Sequence, residues 1–410
     1  MRILVLVPHY NPDGGPSAPQ FTMLCEELAR LGHQVTVITA VPHYPSGQVP
    51  REYRGKLRIR SYENGVSVIR VALPSANRRN LIWRMIQFIS YQIGATLAGW
   101  NHKYDVILTV TAAIQVWLPF TFLSVLRHKP AVYSVHDVYP DIGVKSGVFQ
   151  SKTVIHLVSI LEDFCLNHAT YVRVLSESFK PSLIARGVPE EKLILIYDWI
   201  DTDLIKPMPC DNNFAIEHDL ENYFVILYAG NIGVLQGLES VLETANLLKD
   251  SSDIRFVFIG DGTAKKSLIG KADQLNLPNV KFLPYQPFEK MPEILVMSDV
   301  SLVSLVKGCG FGALPSKCFA IMASGRPVLA SVDEGSETWN LVKRAEAGLC
   351  VPPEDPQKLV EAILTLKQDQ DLRERLGRNG RCWTERYHSP QSAALQFEKL
   401  LSMAMTVEKQ

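Results

Sequence analysis

The sequence predicts an α/β protein built from two Rossmann-like, doubly wound domains, and three observations carry that prediction. Apolar runs of strand length recur along the chain, separated by segments with helical spacing. A glycine-containing loop follows the first strand of each half, at Gly14-Gly15 and at Gly230-Asn-Ile-Gly233. The length, 410 residues, exceeds what one ordinary core fills, so two domains of similar size are expected. The expected division is residues 1–187, completed by a C-terminal helix over 388–410, and residues 188–387.

Strand one, Ile3 to Val7, runs into Pro8-His-Tyr-Asn-Pro-Asp-Gly-Gly-Pro16. Leu24, Leu28 and Leu31 share one face of the next helix, which Gly32 closes, and Gln34 to Thr39 is the following strand. Such an opening belongs to a domain whose ligands sit beyond the strand carboxyl ends. The loop lacks the full Gly-x-Gly-x-x-Gly pattern, so no dinucleotide is indicated. Gly14 and Gly15 either let backbone approach a phosphate or sugar, or simply make a turn.

The uncharged run Ile107 to Leu126 is near the length of a membrane span. Thr111-Ala112-Ala113 and Pro119 divide it, and a strand followed by a core helix is expected. Ala131 to Val135 is a further strand, and its carboxyl end delivers His136-Asp-Val-Tyr-Pro-Asp141. A histidine there, clustered with Asp137 and Asp141, is placed to orient a hydroxyl or donate to a carbonyl; a structural histidine is the plainer alternative.

Val172 to Leu175 and Leu193 to Ile196 are strands, and the polar stretch from Tyr197 to Asn222 reads as a linker. The second half opens at Val225-Ile-Leu-Tyr-Ala-Gly-Asn-Ile-Gly233, with later strands at Phe256 to Ile259, Val280 to Leu283 and Asp299 to Leu305. Within Lys307 to Ala330, Gly308, Gly310 and Gly312 form a loop and Pro315 and Ser316 suit a first helical turn. Phe319, Met322 and Ala323 make that helix's apolar face, and Gly325 and Pro327 stop it. A glycine loop feeding a helix start offers free N–H groups and partial positive charge to a diphosphate; an ordinary tight loop is the alternative.

Lysine plus arginine equals aspartate plus glutamate, 42 each, so no global charge draws the chain to nucleic acid. The seven cysteines are scattered with no Cys-x-x-Cys pair, which argues for a reducing compartment and against a zinc or disulfide framework. Between Arg51 and Arg84 the chain carries nine basic residues against Glu52 and Glu63, next to an aromatic, apolar helix. That belt suits peripheral contact with an anionic membrane, or else a solvated arginine face.

Over essentially its whole length the chain resembles the retaining, family-four, "group 1" glycosyltransferases, nearest their colanic-acid and fucosamine branch. The resemblance rests on Pro12-Asp-Gly-Gly15, Leu31-Gly-His-Gln-Val-Thr-Val37, Ser176-Glu177, Asp198-Trp-Ile-Asp201, Tyr228-Ala-Gly-Asn-Ile-Gly233 with Gln236-Gly-Leu238, Ile259-Gly-Asp-Gly262, Pro315-Ser-Lys317, Met322-Ala-Ser-Gly-Arg-Pro327 and Val351-Pro-Pro-x-Asp355. It implies a GT-B fold, with two Rossmann-like domains facing a central cleft and a C-terminal helix crossing back to the first. It also implies transfer from a nucleotide sugar, UDP-linked by expectation, to a hydroxyl of a glycan or lipid-linked glycan, with retention. No metal or other cofactor is expected, and the Asp201-Thr-Asp203 triplet is not taken as a metal site.

The family's acceptor-side histidine falls on His136, beside Asp137, and its Gly-Gly loop on Gly14 and Gly15. Its diphosphate loop falls on Gly310 to Pro315, taking in Phe311, Gly312, Ala313 and Leu314, followed by Ser316 and Lys317. The chain departs from the pattern elsewhere: the usual pair of glutamates is Gly312 and Ala320, and the usual phosphate-gripping arginine and lysine are Asn231 and Gln236. Glu337 is the candidate substitute for the ribose contact, or a solvated loop carboxylate. A sugar-nucleotide epimerase and a non-catalytic partner that keeps the fold are the alternatives. A cytoplasmic location at the inner membrane face is expected.

Overall fold

The computed structural model describes residues 1–15, 17–75, 81–145, 151–210, 212–310 and 315–407. The chain divides into two units, Met1–Tyr197 with Pro390–Gln410, and Asp198–Ser389.

The first unit carries eight strands: β1 (Arg2–Leu6), β2 (Gln34–Ala40), β3 (Arg58–Glu63), β4 (Val66–Val71), β5 (Val106–Val110), β6 (Ala131–Val135), β7 (Tyr171–Val174) and β8 (Leu193–Leu195). Their order is β3-β4-β2-β1-β5-β6-β7-β8, with β3 antiparallel to β4 and every other pair parallel. β5 and β6 are buried along their whole length, which is why they appear in the sequence as unbroken apolar runs. β3 and β4 are additional to the strands expected from sequence. β3 is an edge strand with alternating exposure, and Asn64-Gly65 joins it to β4 with both residues at positive φ (47° and 88°). That Asn-Gly pair is a strong hairpin signal.

The run from Ile107 becomes β5 and the helix Ala113–Phe120, as expected. Among the described residues no helix is long and apolar enough to cross a membrane. The helix Pro390–Thr406 packs on the helix Ala18–Arg30 and buries Ala393, Phe397, Leu400 and Leu401. The expected division at residue 187 falls too early: Leu193 pairs with Val172 of β7, so the first unit extends through Tyr197.

The second unit holds β9 (Phe224–Ala229), β10 (Ile254–Ile259), β11 (Val280–Leu283), β12 (Val300–Ser304), β13 (Val328–Ser331) and β14 (Gly348–Val351). All pairs are parallel, in the order β11-β10-β9-β12-β13-β14, so the winding reverses between β9 and β12. The supposed linker is folded: Trp199, Ile205, Phe214 and Leu220 are buried, and Asn212 caps the helix Asn213–Glu217 by accepting from Phe214 and Ala215 N–H. Asp201 is occupied locally, its Oδ1 accepting the N–H groups of Asp203 and Leu204.

Candidate active site

In the second unit β9 and β10 run in register, Tyr228 beside Phe258 and Ala229 beside Ile259. Past them the chain turns at Gly230 (φ 139°) and Gly260 (φ 146°), both closed to ordinary side chains. A Cβ on Gly260 would lie 1.9 Å from the Gly230 carbonyl oxygen, so the two loops touch backbone to backbone. They border a largely apolar cavity of about 290 Å³, lined also by Tyr285, Met291, Ser316, Lys317 and Ala320. This is where a doubly wound sheet binds ligands.

Ser316 stands at the N-cap of the helix Lys317–Ala323, which starts where expected. Lys317 is half-buried, donates from Nζ to the Tyr228 hydroxyl at 2.8 Å, and lies 4.0 Å from that ring's centre. Burial lowers its pKa from 10.5 to about 8. The Tyr228 hydroxyl also lies 2.6 Å from the Asn231 carbonyl oxygen and 3.1 Å from Gln236 Oε1. Tyr228 therefore gathers Lys317, Asn231 and Gln236 around one hydroxyl. Its own part was not singled out from sequence, although it stands inside the motif that carries the resemblance.

The remaining expected donor residues are placed less uniformly. Phe311, Gly312, Ala313 and Leu314 lie outside the described residues. The N–H groups of Gly308 and Gly310 donate to the Asp333 carboxylate at 2.9–3.0 Å, so this part of the glycine loop is anchored internally instead of offering its amides to an anion. Glu337 opens the helix Glu337–Arg344 and is not among the residues lining the cavity.

In the first unit His136 follows β6, and its N–H donates to Thr111 Oγ1 at 3.0 Å. Its Nε2 lies 3.4 Å from Nη1 of the fully buried Arg173. A guanidinium only donates, so this Nε2 accepts. Arg173, the one charge in the strand Tyr-Val-Arg-Val, also donates to the Ile196 carbonyl and toward Ser134 Oγ. That isolated charge was the available signal. Asp137 is exposed beside His136.

A Cβ on Gly14 would meet Tyr44 at 3.7–3.8 Å, an ordinary contact. Gly15 packs flat on His9, since a Cβ would lie 2.3 Å from the imidazole Cγ. His9, Asp13 and His43 cluster beside it, a grouping the sequence reading did not make.

The sequence matches the family described as "Glycosyl transferases group 1" over residues 211–383 and the "Glycosyl transferase 4-like domain" over residues 15–199. It is 29% identical over 373 residues to the putative colanic acid biosynthesis glycosyl transferase WcaI of Escherichia coli K12, covering 88% of this chain and 91% of that one. Among solved structures, sucrose-phosphate synthase from Thermosynechococcus elongatus superposes with a TM-score of 0.70 at 19% identity, over 100% of each chain. Anabaena Alr3699/HepE in complex with UDP gives 0.68 at 17%, over 98% of this chain and 100% of that one. Both halves of the chain thus match and the backbone agrees from end to end: the protein belongs to the group 1 glycosyltransferases and has the GT-B fold.

Proposed function

We propose that this chain moves a sugar from a UDP-sugar to a hydroxyl of a glycan or lipid-linked glycan precursor, with retention and without a metal, in bacterial surface-polysaccharide synthesis. The observation that carries this reading is the Lys317–Tyr228 pair beside the β9–β10 cavity, a half-buried cation next to a largely apolar space of about 290 Å³. The UDP and UDP-glucose complexes of HepE support the donor class, and WcaI's name supports the pathway.

In the reaction the bond from the anomeric carbon to the diphosphate breaks, its electron pair staying on phosphate oxygen. The acceptor oxygen bonds to the same face, and its proton passes to the leaving diphosphate. Lys317 meets the charge developing there, with Ser316 at the same helix start. Asn231 and Gln236 hold Lys317 through Tyr228. On the acceptor side, His136 and Asp137 orient the incoming hydroxyl beside Gly14 and Gly15. Calorimetry with UDP tests the donor site; absence of binding at millimolar nucleotide would sink the transferase reading and favour a non-catalytic partner. Conversion of the UDP-sugar without any acceptor would instead identify an epimerase.

Membrane contact belongs to the same proposal, with a corrected belt. Arg70 is buried and paired with Glu63 at 2.6 Å, and Arg78 and Arg79 lie outside the described residues. Arg51, Arg54, Lys56, Arg58 and Arg60 are exposed. The helix Leu81–Gly99 contains no acidic residue and exposes Ile82, Ile86, Ile89, Ile93 and Leu97 at helical spacing, by 37–71%. Burial, then the charges of Arg60 and Arg58, lower the pKa of His102, three residues past that helix. An apolar stripe beside arginines fits an anionic lipid surface. Flotation with phosphatidylglycerol vesicles should show salt-sensitive binding that I89E abolishes; equal binding to neutral vesicles would remove this part.

A further inference from the structure

We propose that His9, held by Asp13, receives a hydroxyl of the acceptor sugar at its Nε2. The proposal deepens the transferase reading and rests on it for the meaning of "acceptor". The loops after β1 and β2 bring His9, Asp13 and His43 together, their ligand atoms within 4.8 Å of one another. Asp13 Oδ2 lies 2.7 Å from His9 Nδ1 and 3.3 Å from His43 Nδ1, and Oδ1 accepts the Tyr44 N–H at 3.0 Å. The Asp13 side chain is wholly buried. Burial pushes its carboxyl up, but the His9 hydrogen bond and the two imidazoles outweigh that and leave it below its usual value.

These contacts put a hydrogen on both Nδ1 atoms. His43 Nδ1 is 3.0 Å from the Val41 carbonyl oxygen, which only accepts, so that nitrogen carries the hydrogen. The ionised Asp13 does the same for His9 Nδ1. Both Nδ1 positions are then donors inside a closed network and not lone pairs turned toward a shared cation. Among the described residues His9 Nε2 makes no hydrogen bond, and in the neutral ring it is the acceptor. The ring is clamped by Gly15 against one side, by His43 stacked at 5.0 Å, and by Tyr44 edge-on at 5.8 Å. His9 and His43 line a mostly apolar cavity of about 10 Å³, room for one hydroxyl, with Leu73, Phe88, Tyr91 and Gln115, beyond the carboxyl ends of β1 and β2. A fixed imidazole whose Nε2 faces no protein partner, at a strand end, is built to take an O–H donor in its neutral form.

The test uses the full chain and three readouts. Long-range ¹H–¹⁵N spectra of histidine-labelled protein should show His9 as the Nδ1–H tautomer, and D13N should mix the forms. Saturation-transfer NMR with the methyl glycosides of glucose, galactose, mannose, fucose and N-acetylglucosamine should find at least one that binds. H9A should weaken that binding about fivefold or more, while H9Q, which keeps an oxygen near the place of Nε2, retains most of it. UDP affinity in both variants should match the wild type, which also certifies folding. An Nε2–H tautomer, no glycoside bound by the wild type, or undiminished binding by H9A would each overturn the proposal. So would a loss confined to UDP-glucose hydrolysis, which would give the hydroxyl to the donor sugar. Failure of the wild type to bind UDP sinks the transferase reading instead, a separate result.

Discussion

Lys317 should make nucleotide binding depend on pH. Its ordinary pKa of 10.5 is lowered to about 8, because the ammonium is desolvated beside the Tyr228 ring. A diphosphate in the adjoining cavity favours the charged form, so binding should draw a proton onto Lys317. Between pH 7 and pH 9 the charged fraction of the free protein falls from about nine-tenths to about one-tenth, and UDP affinity should fall about tenfold with it. Calorimetry at pH 7, 8 and 9, in two buffers of different ionisation enthalpy, should report uptake of about half a proton at pH 8. Lys317→Met should bind UDP about tenfold more weakly at pH 7 and lose the pH slope. A flat wild-type profile, or a variant that keeps the slope, would refute the phosphate contact.

The buried Glu162 and the packed Gly15 make further predictions. Glu162 accepts the Ala113 N–H at 2.9 Å and the Tyr133 hydroxyl at 2.8 Å, and burial raises its pKa from 4.5 to about 7. A carboxyl whose folded value is raised contributes stability that is present below 4.5 and lost as pH rises through 7. Denaturant unfolding of the first unit should therefore weaken by about 3 kcal/mol between pH 4.5 and pH 8, and Glu162→Gln should flatten most of that slope. Gly15→Ala places a methyl 2.3 Å from the His9 Cγ; it should cost about 1–3 kcal/mol in thermal unfolding and displace the His9 ring signals. An unshifted His9 spectrum would refute that packing.

The sequence alone determined the class of fold and most of the central strands. A parallel sheet covered on both faces leaves continuous apolar runs, and β1, β5, β6, β9 and β10 are legible for that reason. Local chemistry also marked the helix start at Ser316-Lys317, since caps and breakers act within a few residues. The edge strand β3 escaped because half-exposed strands carry no such run. Only tertiary structure decided that β8 belongs to the first unit, because membership depends on which strand edge has N–H and C=O groups to pair. It also decided the sites. Lys317 meets Tyr228 across 89 positions and Asp13 meets the Tyr44 N–H across 31, contacts made by parallel strands that end side by side. Spacing along the chain records periodicity within one element, whereas a buried cation's pKa and a ring's tautomer depend on which elements the sheet order makes neighbours.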